Sequence, residues 1–222
     1  MKDSVIKFSQ RKIKKNYRSI TGHFPSIKNN TSIGFESKLE KAHFLVLEFD
    51  NEVVSYQEQP QIEIFFNGKN QIYSADCYIK RVKNASKKDS IVEVKYINEI
   101  EKDKEYFEKR FEAATISANK LNLDFEIYTD EIHTEIYLDN LDFLYRYKLY
   151  PIENKYENQI INLVEQNKKI SAFELANLIS QNLKDYPTIS NCIWDLVCKE
   201  KLRSDLLSAK VTMNSFVELV NE

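Results

Sequence analysis

The chain has 222 residues, of which 42% are hydrophobic, 12% aromatic and 30% charged, with a formal net charge of −2. That balance excludes a fibrous or disordered polypeptide and leaves material for one large core or two small ones. No apolar run is long enough to span a bilayer, no apolar leader opens the sequence, and Cys77, Cys192 and Cys198 lack CxxC spacing. A membrane span, a secretory signal, a disulfide framework and a zinc site are therefore not expected, and a cytoplasmic location in a reducing compartment is.

In chain order, the first feature is charge. Residues 1–28 carry eight Lys/Arg and one acid, Asp3, leaving 24 basic against 33 acidic side chains for the rest of the chain. A basic arm on an acidic body suits phosphate contact, and it equally suits a solvated tail. Next, residues 36–48 read as a helix, with Leu39, Ala42, Val46 and Phe49 at helical spacing and no interrupting proline. Glu36, Glu40 and His43 share one face of it, where like charges a turn apart cost about 0.2–0.5 kcal/mol unless a cation answers them. Glu36 reads as solvent-facing and His43 as a core-edge residue.

The period then changes to that of strands. Residues 53–59 and 61–66 are β-rich around Pro60, and Asn67-Gly68-Lys69-Asn70 signals a hairpin into a strand over 72–80. A strand follows at 91–96, then an amphipathic helix from about 102 to 121, a strand at 124–128 and a weaker element near 138–146. Helix, strands, helix and strand in that order predict an α/β sandwich around a mixed sheet. From Pro151 onward three short helices are expected: 156–166, a second opened by the capping box Ser171-Ala-Phe-Glu174, and a third after Pro187. With a β-prone tail at 202–213 as wing, they suggest a winged-helix-like domain. Three glycines in the whole chain leave few hinges.

The chemistry centres on Asp76 and on Glu93-Val94-Lys95 of the following strand. Alternation places Glu93 and Lys95 on one face, and puts Asp76 with Ser74 and Tyr78 opposite the face of Tyr73, Ala75 and Cys77. If the two strands pair, Asp76, Glu93 and Lys95 converge. Two carboxylates held together repel, and a hard cation with oxygen ligands is the usual compensation. Lys95 would then orient water or offset charge on a phosphoryl transition state. Taken alone, Glu-x-Lys on a strand is more often a solvated ion pair.

Five ordered motifs raise this reading: Thr21–Lys28, Phe35–Glu40, Val54–Pro60, Tyr73–Asp76 and Val92–Lys95. Together, over roughly residues 8–130, they resemble the N-terminal domain of TnsA-type transposon endonucleases. The resemblance implies a restriction-endonuclease-like mixed-sheet core over 31–148, preceded by a basic arm over 1–30. It is followed by a partner-binding, winged-helix-like domain over 151–222. It implies a catalytic set of Glu40, Asp76, Glu93 and Lys95, and a metal set of Glu40, Asp76, Glu93 and Val94 for Mg2+, with Mn2+ substituting. Gln59 matches a recurring family glutamine near the metal or scissile phosphate, and equally suits an edge-strand amide.

Lys12, Lys14, Lys15, Arg18, Ser26 and Lys28 are candidates for DNA phosphates, Ser26 equally for a cap or turn. His23 and His133 carry no assigned chemistry. Ala75 departs from the family, which usually has proline before the Asp, and Glu93 stands where glutamine is often seen. The resemblance further implies cleavage of the 5′ strands at transposon ends, working with a DDE-type TnsB-like transposase and an ATP-dependent TnsC-like regulator. A restriction, repair or phage-defence nuclease of the same core, or a non-catalytic DNA-binding assembly factor, are the alternatives. Residues 151–222 hold eight Lys/Arg and ten Asp/Glu, so charge favours protein docking over DNA there. Trp194 suits either core or an exposed anchor.

Overall fold

The computed structural model describes residues 6–8 and 20–220, and the chain divides into two compact units, 1–132 and 133–222. Each is taken by itself. The first opens with β1 (Lys7–Phe8) and a hairpin of β2 (Gly22–Ser26) and β3 (Thr31–Phe35). Helix α1 (Lys38–Phe49) follows, then β4 (Val53–Glu58), β5 (Pro60–Phe66), β6 (Lys69–Ser74), β7 (Cys77–Arg81) and β8 (Ser90–Val94). A short α2 (Ile97–Lys102), the long α3 (Lys104–Lys120) and β9 (Asp124–Tyr128) complete it.

The main sheet runs β4-β7-β8-β9, antiparallel except for the parallel β8–β9 pair, as a crossover through α2 and α3 requires. A second sheet, β1-β5-β6, continues the same β4–β7 ribbon beyond a corner. Its tip is Asn67-Gly68, both at positive φ (52° and 76°), the pairing that a two-residue hairpin with a primed turn needs. Helix α3 packs on β5 and β9. Its alanines permit that approach: Ala114 and Ala118 are fully buried among Ile62, Ile64, Tyr73, Ala75 and Ile91. Helix α1 packs against β2, β3, β4 and β8 and buries Phe44, Leu45 and Leu47.

Two expectations change here. The strand expected over 72–80 is two strands in two sheets, because the chain turns between them at Ala75-Asp76. The β2–β3 hairpin was not foreseen at all. It packs its apolar Phe24, Ile33 and Phe35 inward, but Pro25 and the polar turn hide the alternation.

The second unit begins with α4 (Glu135–Leu149), capped by Thr134, whose hydroxyl accepts the Tyr137 N–H at 3.2 Å. Helix α5 (Glu157–Asn167), β10 (Lys169–Ser171), α6 (Ala172–Ile179), α7 (Tyr186–Cys198), β11 (Leu202–Arg203) and β12 (Phe216–Leu219) follow. Helix α4 was expected in the catalytic domain; it packs on α7 instead, with Phe143 edge-on to Trp194 at 5.7 Å between centroids. Ser171 and Glu174 form the expected capping box. The tail differs from expectation. Strand structure is confined to β11 and β12, with β12 between β10 and β11 in a small antiparallel sheet, while 204–215 is turn and coil. Trp194 is 2% exposed, a core residue.

Candidate active site

The site is assembled from the start of α1, the corner between the two sheets and the end of β8. Ser37 caps α1, its hydroxyl accepting the Glu40 N–H at 3.0 Å. The Glu40 carboxylate reaches back in return, Oε2 accepting the Glu36 N–H at 3.0 Å. This is a variant of the capping box, with the return bond made one residue before the cap. It orients Glu40 over the positive end of the helix. Burial pushes the Glu40 pKa up and the Glu36 charge adds to that, against the Glu36 and Ser37 bonds and the nearby Lys95 charge.

At the corner, Gln59 adopts a positive φ of 54°, a conformation costing about 1 kcal/mol or more outside glycine. Its N–H donates to the Asp76 carbonyl and the Ala75 N–H to the Pro60 carbonyl, each at 3.0 Å. Pro60, lacking an N–H, leaves no donor of its own unpaired at this bend. The bend thus continues the β4–β7 ladder into the β5–β6 ladder. The role the structure shows for Gln59 is this main-chain one.

Asp76 is tied to β8 twice: its N–H donates to the Val92 carbonyl at 3.0 Å, and its Oδ2 accepts the Val94 N–H at 2.7 Å. Burial, and then the Glu93 charge, push its pKa up to about 8, despite the Val94 bond and Lys95. Glu93 is also raised by burial, moderated by a hydrogen bond from Tyr73 and by the charges of Lys95 and Arg110. That bond runs from the Tyr73 hydroxyl to Glu93 Oε2 at 2.6 Å. Lys95 follows, its N–H on the Tyr128 carbonyl at 2.9 Å. Its ammonium is 3.5 Å from Glu99 and 5.6 Å from the Phe107 ring centroid.

The Asp76 carboxyl therefore feels the charges of Glu93, Glu40 and Lys95 together. Two carboxylates whose ionisation is opposed by burial, that of Asp76 also by the Glu93 charge, form a donor set whose chemistry fits a hard divalent cation. Among the described residues, no group of three or more His, Cys, Asp or Glu could hold a metal ion, so a cation here would take fewer of them and complete its shell with water or phosphate oxygens.

Tyr73 and Arg110 were missed. Alternation put Tyr73 on the face away from Asp76, but the change of sheet at Ala75-Asp76 swings its hydroxyl onto Glu93. Arg110 of α3 lies over the Tyr73 ring, 5.0 Å from the centroid; only tertiary packing brings it there.

Of the residues expected to contact DNA, Ser26 and Lys28 need correction. Lys12, Lys14, Lys15 and Arg18 lie outside the described residues. Ser26 is 5% exposed and donates to Glu48 Oε1 at 2.6 Å, so its hydroxyl is committed inside rather than offered to phosphate. The Lys28 ammonium donates to the carbonyls of Asp50 and Val53, which closes the turn after α1. Glu48, itself 1% exposed, also accepts the Tyr56 hydroxyl at 2.8 Å. His43 is buried with its ring 4.6 Å from that of Tyr128, as a core residue.

No helix among the described residues is long and apolar enough to cross a membrane. No curated protein matches the chain. Residues 50–130 match the family model described as TnsA-like endonuclease N terminal, and the segment carrying Gln59, Asp76, Glu93 and Lys95 is thereby similar to the TnsA-type endonucleases.

Proposed function

We propose that the chain is a metal-dependent DNA endonuclease that cuts the 5′ strands at transposon ends, as one subunit of a heteromeric transposase. The observation that supports this reading is the pair of hydrogen bonds tying Asp76 to the strand of Glu93-Val94-Lys95, inside the segment that matches a TnsA-like endonuclease. Glu40 lies before that segment and joins on the strength of its influence on Asp76.

Asp76 and Glu93 would hold the cation, Mg2+ or Mn2+, with Glu40 and Val94 completing the proposed set. When bound, the cation supplies Lewis-acid polarisation of the scissile phosphate and a more acidic water. The protein contributes the rest. The Val94 N–H fixes Asp76, and the corner at Gln59-Pro60 fixes the approach of the two ladders. Lys95 presents a positive charge from the end of β8, where it offsets charge building on the phosphoryl oxygens and orients the attacking water. The core is of the restriction-endonuclease-like kind in this reading, and the second unit, with α5, α6 and α7 beside a small antiparallel sheet, a winged-helix-like module. It would dock a TnsC-like ATP-dependent regulator while a TnsB-like DDE transposase cuts the 3′ strands.

The test is strand-specific nicking of labelled transposon-end DNA by the full chain with its transposase partner, in Mg2+ and in EDTA. Nicking at 5′ ends that needs Mg2+ and disappears in Asp76→Ala supports the reading. Undiminished cutting by Asp76→Ala, or in EDTA, overturns it.

A further inference from the structure

Each of the three carboxylates has one oxygen taken by a donor of the protein. Glu40 Oε2 holds the Glu36 N–H at 3.0 Å, Asp76 Oδ2 the Val94 N–H at 2.7 Å, and Glu93 Oε2 the Tyr73 hydroxyl at 2.6 Å. Two of those donors are main-chain groups, built into the cap of α1 and the corner. The third is a side chain. Tyr73 is 1% exposed, seated in the core with Ile62, Ile64 and Ile91, edge-on to Phe125 at 6.0 Å and under the Arg110 guanidinium. A ring so enclosed aims its hydroxyl in one direction, and that direction is Glu93.

A carboxylate with one oxygen tied offers the other singly. Magnesium and manganese take single oxygens in a small octahedral shell completed by water, whereas calcium is larger and readily takes both oxygens of a carboxylate. We infer that Tyr73 is a positioning residue that restricts Glu93 to one oxygen and so biases the site toward Mg2+ and Mn2+ against Ca2+. The inference rests on the metal-dependent reading above and adds to it a determinant of which cation is admitted.

Calorimetric titration of the full chain with Mn2+ and, separately, with Ca2+ gives an affinity ratio. That ratio does not respond to a uniform loosening of the fold, and it is read without any cleavage. In Tyr73→Phe, which keeps the ring and deletes the hydroxyl, the Mn2+ over Ca2+ ratio is expected to fall roughly tenfold, the scale on which partners of metal ligands act. Arg110→Met, which leaves the hydroxyl but frees the ring, should move the ratio the same way by a smaller factor, and it serves if Tyr73→Phe does not fold. A ratio unchanged or increased in a folded Tyr73→Phe, or in Arg110→Met where the first variant does not fold, overturns the role of Tyr73 and leaves the nuclease reading standing. Failure of the unaltered chain to bind either cation overturns both.

Discussion

Replacing Asp76 by asparagine separates a metal site from an ordinary buried polar corner. Asparagine keeps an acceptor for the Val94 N–H, which Asp76 Oδ2 takes at 2.7 Å, and removes the charge. The carboxyl is held up to about 8 by burial and by Glu93, from an ordinary 3.8. A group raised in the folded state gives its stabilisation in full below the unfolded pKa and loses it as pH rises through the folded one. Metal-free protein should therefore lose stability between about pH 4 and pH 8. The full span corresponds to about 6 kcal/mol, and relaxation and water penetration around the charged carboxylate reduce this to about 2–3 kcal/mol. Without metal, Asp76→Asn should thus melt roughly 5–10 °C above the unaltered chain at pH 8 and coincide with it near pH 4. Added Mg2+ at a hundred times its dissociation constant should stabilise the unaltered chain by about 2.7 kcal/mol, and the variant much less. Melting curves followed by circular dichroism across this pH range, with and without MgCl2, give all four values. A variant no more stable than the parent at pH 8 without metal, or one with the same gain from Mg2+, would refute the reasoning.

Further substitutions test the surrounding structure. Lys95→Ala should reduce nicking roughly 10²–10³-fold while changing stability by less than about 1 kcal/mol, since its ion pair with Glu99 is a partly exposed one at 3.5 Å; nicking rates and melting on one preparation check both halves. Glu48→Ala strands the buried Ser26 and Tyr56 hydroxyls and should cost about 2–4 kcal/mol in urea denaturation, whereas Ser26→Ala should leave DNA affinity unchanged in a filter-binding assay. Trp194→Ala, at a residue 2% exposed, should cost about 3–5 kcal/mol, read as an earlier unfolding transition, with cation binding in the first unit unaltered.

The main β and helical elements of the first unit were legible in the sequence because alternation and helical spacing are local properties. So were the Asn67-Gly68 turn and the Ser171–Glu174 capping box, each a short pattern with its own hydrogen-bond logic. The pairing of Asp76 with Glu93-Val94-Lys95 could be anticipated too, since it needs only two neighbouring strands. The tertiary structure decided what depends on where the chain bends and what packs across it. The positive φ at Gln59 and the change of sheet at Ala75-Asp76 carry no periodic signature, yet they swing Tyr73 onto Glu93 and bring it under Arg110. Ser26 and Lys28 have the composition of a phosphate-binding segment, and folding turns them inward because Glu48, buried on α1, needs donors from the β2–β3 turn. Sequence by itself determined most of the elements and the acidic pair; the fold decided which oxygens of Asp76 and Glu93 are held, because their hydrogen-bond donors reach them only when separate strands meet.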